Sequence, residues 1–90
     1  MSEGQRYAKN IQLRKDYGIT IDQYEAMYQA QEGRCAICGT SHPVLQVDHC
    51  HVTGKVRALL CGPCNSGLAM FKDSVRNLVV AIIYLKDHAS

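Results

Sequence analysis

The sequence predicts a small, mostly helical α+β domain. Three observations lead there. The chain has 90 residues, too few to feed two hydrophobic cores, so one domain over 1–90 is expected. Both ends carry apolar residues at helical spacing. The middle carries two Cys-x-x-Cys pairs, Cys35/Cys38 and Cys61/Cys64, around a β-favouring stretch. A chain of this size buries only about 60–65% of the surface it exposes when unfolded. A bound metal, a disulfide or a partner chain is therefore expected to supplement the core.

Composition excludes some classes. A hydrophobic fraction of 47% with 20% charged residues is ordinary for a globular chain and excludes a largely disordered one. The longest apolar run, residues 78–85, falls short of the roughly 18–20 residues of a membrane span. The first six residues, Met1-Ser2-Glu3-Gly4-Gln5-Arg6, lack the apolar region of a secretion signal, so a cytosolic location is expected. The net charge of +2 does not choose a partner by itself.

A first helix is expected over 6–16, with Tyr7, Ile11 and Arg14 at helical spacing and Gly18 closing it. Thr20 and Gln23 form a capping box that opens a second helix, whose Ile21, Tyr24, Met27 and Tyr28 share a face. The helical N-terminal part thus covers about 6–32, and a core of 33–72 follows. There, residues 44–47 read as a strand, Thr53-Gly54 as a turn and residues 56–60 as a return strand into Cys61. A short helix is expected over 65–71, then a last helix over 74–86 capped by Asp73 or Ser74. In that last helix Val75, Leu78, Val79, Ile82, Ile83 and Leu85 make one broad face, with Val80 and Tyr84 opposite. Two readings stay open: one wide core face with two exposed residues, or a homodimer contact.

The cysteines carry the clearest chemical signal. Five thiols, an odd number, in a chain without a secretion signal argue against a disulfide framework. A redox Cys-x-x-Cys needs only one pair. Two pairs of two-residue spacing suit one tetrahedral Zn2+ held by Cys35, Cys38, Cys61 and Cys64. The 22 residues between the pairs exceed the ordinary zinc-ribbon spacing, so something is inserted.

The insertion contains Asp48-His49-Cys50-His51. Asp48 offers a hard oxygen ligand suited to Mg2+ or Mn2+. His49 offers a base, and Asn65, directly after the last zinc ligand, offers a neutral oxygen ligand. Neighbouring side chains on a regular strand point to opposite faces. Asp48 and His49 can share a site only if the strand ends or bulges there, which is expected.

The run from Asp48 through Val52-Thr53-Gly54-Lys55-Val56-Arg57, followed by Leu59-Leu60-Cys61-Gly62-Pro63-Cys64-Asn65, closely resembles the phage recombination endonuclease VII family, His-Me finger nucleases of the HNH group. The resemblance extends over about 13–85, including Tyr17-Gly18-Ile19-Thr20 and Gly67-Leu68-Ala69-Met70-Phe71-Lys72-Asp73. It implies a ββα-metal active site on a zinc scaffold, in a DNA endonuclease that nicks, cuts both strands or cuts branched DNA. Asp48 and Asn65 would then hold the catalytic Mg2+ or Mn2+, His49 would be the general base, and His51 would match a further active-site histidine. The family is also dimeric, through intertwined N-terminal helices. One departure is Cys50, which stands where many relatives have a second acidic residue between the histidines.

Lys55 and Arg57 are expected to hold flanking phosphates, with Arg34 and Lys72 as weaker candidates. His42 and His88 read as bland loop and tail residues. The alternative to an enzyme is a catalytically inactive, zinc-stabilised DNA- or protein-binding module. Such a module has no reason to keep Asp48, His49 and Asn65 together.

Overall fold

The computed structural model describes residues 2–89 and contains four helices and a two-stranded sheet. Helix α1 runs Glu3–Tyr17, three residues earlier than its periodicity implies, because Ser2 and Gln5 form a capping box that the sequence reading passed over. Gly18 closes it at φ 72, a left-handed position where glycine carries no Cβ penalty. Helix α2, Ile21–Ala30, opens on the expected Thr20–Gln23 capping box. Asn10 of α1 accepts a hydrogen bond from the Ile21 amide at 2.8 Å, so a side chain of one helix satisfies a free N–H at the start of the next. Arg6 adds ion pairs to Asp22 and Glu25 across the same corner.

Strands β1 (Gln46–His49) and β2 (Val56–Leu60) pair antiparallel. β1 begins two residues later than expected, and Tyr24 is the cause. Its hydroxyl donates to the Leu45 carbonyl at 2.6 Å and accepts from the Leu45 amide at 3.3 Å, so the backbone of residue 45 belongs to α2 and not to the ladder. The pairing is irregular between Val47 and His49, the bulge that the Asp48-His49 dipeptide calls for. Helix α3, Gly62–Met70, starts three residues before the predicted short helix, with Cys61 as its N-cap residue and Pro63 in its first turn. It packs against β1.

The core is small: Leu13, Ile21, Tyr24, Leu45, Val47, Leu59 and Leu60, together with Cys35 and Cys61. Helix α4, Val75–Asp87, is capped by Ser74 and contributes nothing to it. None of its residues is buried, and Val75, Val79, Ile82, Ile83 and Leu85 are about half to three-quarters exposed. The wide-core-face reading of this helix is therefore corrected. The apolar stripe exists, but the core is already closed by α1, α2 and the hairpin and offers α4 no surface. The described residues accordingly span 51 Å in one direction and only 18 Å in another.

Candidate active site

The sulfurs of Cys35, Cys38, Cys61 and Cys64 all lie within 4.8 Å of one another, positioned to bind one zinc ion. The 3.7 Å between Cys38 Sγ and Cys61 Sγ is close to the edge of a tetrahedron with Zn–S bonds of about 2.3 Å. The first knuckle is tied by the Cys35 amide to the Thr40 carbonyl and the Gly39 amide to the Cys35 carbonyl, each at 3.0 Å. Thr40 Oγ1 lies 2.9 Å from Cys38 Sγ and 2.7 Å from His42 Nε2, so His42 belongs to the support of this cluster. The thiols bias one another's protons. The Cys64 thiol donates to Cys61 Sγ, and this bond together with burial pushes Cys64 up to about 12. Burial opposes ionisation of Cys35, yet hydrogen bonds from the amides of Cys61, Cys38 and Ile37 draw it down to about 6.

Beside this cluster, Asp48, His49, His51 and Asn65 line one cavity of about 200 Å³, together with Tyr17 and Asp73. A larger cleft of about 500 Å³ beside Tyr28 holds one histidine, His42, and one carboxylate, Glu32. The β1 irregularity allows Asp48 and His49 to reach the same cavity despite being sequence neighbours. Asn65 arrives from the first turn of α3, where its amide donates to the Cys61 carbonyl at 3.0 Å. Its side-chain Nδ2 donates to Gln46 Oε1 at 2.9 Å, leaving the carbonyl oxygen as its available ligand atom. The rings of Tyr17, His49 and His51 form a tilted series, with centroids 5.5 Å and then 5.0 Å apart.

Asp48 is the one buried charged residue among the described residues, 7% exposed. Burying a carboxylate is costly unless it is paired and hydrogen-bonded. Arg57 supplies the pairing as a fork, Nε to Oδ2 at 2.6 Å and Nη2 to Oδ1 at 2.9 Å. Its Nη2 also reaches Asp73 Oδ2 at 3.3 Å. The hydrogen bond with Asp48 raises the guanidinium's affinity for its proton further, so Arg57 is charged throughout. Arg57 is thus engaged by two carboxylates, whereas Lys55 sits exposed in the hairpin turn. A second cavity of about 510 Å³ adjoins the first and is lined by Cys50, His51, Arg57, Lys72 and Asp73 among others.

Sequence reasoning missed Gln46, Tyr17 and above all Asp73, which it weighed only as a helix cap. Lys72 and Asp73 both have left-handed backbones, φ 56 and 54, a conformation costing about 1–2 kcal/mol per residue outside glycine. That turn sets the Asp73 carboxylate beside Arg57 and 3.7 Å from His51 Nε2.

A family model described as recombination endonuclease VII matches residues 10–87. "Gene 59 protein" of Mycobacterium phage D29 is 46% identical over 74 residues, covering 78% of this chain and 45% of the phage protein. The protein of the same name from Mycobacterium phage L5 is 45% identical over 73 residues, covering 77% and 44%. The chain therefore spans less than half the length of these two relatives. No solved structure matches.

Proposed function

This chain belongs to the recombination endonuclease VII family, and on that premise we propose that it is a metal-dependent DNA endonuclease hydrolysing phosphodiester bonds. The observation that carries this reading is the meeting of Asp48, His49, His51 and Asn65 in one cavity beside the four-cysteine cluster. We read β1, β2 and α3 as a ββα-metal finger of the HNH type, and residues 1–90 as one nuclease domain working in the cytosol. No helix is long and apolar enough to cross a membrane among the described residues.

The donor set suits a hard divalent ion. Asp48 contributes a carboxylate and Asn65 a carbonyl oxygen, the ligand types of Mg2+ and Mn2+. The Arg57 fork occupies one lone pair on each Asp48 oxygen; a carboxylate offers about four such sites, so room for an ion is left. A divalent ion held there would stabilise the charge that develops on the phosphate and on the leaving 3′-oxygen. His49 takes the proton from an in-line water as its oxygen attacks phosphorus. The bond from phosphorus to the 3′-oxygen breaks and that oxygen takes a proton from solvent water, giving 5′-phosphate and 3′-hydroxyl ends. The Nη1 donors of Arg57 make no bond to Asp48 or Asp73, and with Lys55 they are available to flanking phosphates.

The test is conversion of supercoiled plasmid by the zinc-loaded chain with Mg2+ or Mn2+, beside Asp48→Asn. Wild type is expected to nick or linearise the plasmid, and Asp48→Asn to do so at least 100-fold more slowly, on the order of a lost metal ligand. Intact plasmid and intact branched DNA with a folded wild type would instead favour the zinc-stabilised binding module.

We also read the apolar face of α4 as the contact with a second copy of the chain, since none of its residues is buried and its large apolar side chains stay about half to three-quarters exposed. Sedimentation at micromolar concentration should then give twice the 10.0 kDa chain mass. A Val79→Glu/Ile83→Glu variant should sediment as a monomer, and a monomeric wild type would remove this reading.

A further inference from the structure

We propose that Asp73 is a positioning residue of this site, anchoring Arg57 across Asp48 and keeping the cavity negative for a cation. The inference rests on the nuclease reading above, and specifically on Asp48 as an ion ligand. Arg57 alone on Asp48 would cancel its charge and oppose the approach of a divalent ion. With Asp73 on the same Nη2, one guanidinium is shared between two carboxylates and the three groups sum to −1. The anchor also matters because the Arg57 side chain is 39% exposed, whereas Asp73 is 22% exposed and can hold it against solvent.

The backbone supports the same assignment. Glycine, and occasionally asparagine or aspartate, take left-handed positions, and then singly, yet Lys72 and Asp73 occupy two in succession. The turn is held by the Lys72 amide on the Ala69 carbonyl and the Asp73 amide on the Leu68 carbonyl, both at 2.9 Å. A helix end alone would be served better by glycine, and the carboxylate is what glycine would lack. Helix α3 therefore delivers a site residue at each end, Asn65 from its first turn and Asp73 just beyond its last.

The experiment measures Mn2+ affinity by electron paramagnetic resonance, without DNA, on zinc-loaded full-length protein, alongside the thermal midpoint and the plasmid rate. The variants are Asp73→Asn, Asp48→Asn as the ligand reference, and Asp87→Asn as a control for overall charge on the far end of α4. Asp73→Asn should weaken Mn2+ on the order of tenfold, the scale of losing one unit charge that faces a divalent ion in the same cavity. Its thermal midpoint should hold, because asparagine tolerates the left-handed backbone. Plasmid cleavage at limiting Mn2+ should fall in parallel and recover in part when Mn2+ is raised. Asp87→Asn should change affinity by less than about twofold, in line with screening over that distance. Asp73→Asn matching Asp87→Asn in affinity would overturn the proposal and leave Asp73 a turn residue. An Asp48→Asn variant that binds Mn2+ like wild type would remove the ion-site premise and this inference with it. Asp73-dependent Mn2+ binding in a protein that cuts no DNA would uphold the inference while defeating the nuclease reading.

Discussion

Stripping zinc with a chelator should unfold the hairpin and knuckle region cooperatively, and with it the active site. Two of the nine buried apolar residues are themselves cysteines of the cluster, Cys35 and Cys61, and β2 runs through Leu59 and Leu60 directly into Cys61. Structural zinc contributes apparent free energies of about 10–16 kcal/mol in zinc-finger peptides at neutral pH. Whole domains have net stabilities of only about 5–15 kcal/mol, so the remaining core cannot replace the metal. Circular dichroism should show loss of the cooperative melt once a strong chelator has removed the ion, and its return on adding Zn2+. Cys35→Ser should behave as the chelated protein does. An apo-protein melting within a few degrees of the zinc form would refute the structural role.

The same site gives a pH dependence with a defined sign. Zinc binds thiolates, and both Cys61 and Cys64 are pushed towards the protonated form, Cys64 by its hydrogen bond with Cys61 and by burial. Their protons must leave when zinc enters, so affinity should rise with pH through the neutral range. Each displaced proton contributes roughly a tenfold change per pH unit. Displacing the protons of Cys61 and Cys64 alone predicts at least about a hundredfold per unit, measurable by competition with a chromophoric chelator.

Much of this architecture was legible in local sequence because local rules fix it. The Thr20–Gln23 box, the Gly18 stop and the cysteine spacings each need only a few adjacent residues to be read. The bulge at Asp48 followed from requiring two neighbours to serve one site, and the pairing breaks there. What sequence hid depends on contacts between distant segments. Tyr24 claims the backbone of Leu45 from 21 residues away and so displaces the start of β1. Asp73 has an ordinary helix-capping neighbourhood, and nothing local announces that Arg57, 16 residues earlier, will share it with Asp48. The apolar stripe of α4 was equally visible, but periodicity reveals a face without saying what covers it.

The largest catalytic effect is expected from His49→Ala, with DNA cleavage falling by about 10²–10⁴-fold, the ordinary contribution of a positioned general base. The loss should be chemical and not structural. His49 lies outside the buried core cluster and ligates no zinc, so zinc content and thermal midpoint should match wild type. Its ring is held in the cavity by neighbours on both sides, Tyr17 at 5.5 Å and His51 at 5.0 Å between centroids. Removing the imidazole leaves a gap beside the Tyr17 and His51 rings, and added imidazole should restore part of the rate. His51 does not stand in for it. Its side chain is 62% exposed and is oriented towards Asp73, which lies 3.7 Å from its Nε2, so His51→Ala should cost less than His49→Ala. Rates within threefold of wild type for His49→Ala, in protein freed of contaminating nuclease, would move the base to another residue. A large loss without imidazole rescue would implicate a group that orients the water rather than one that takes its proton.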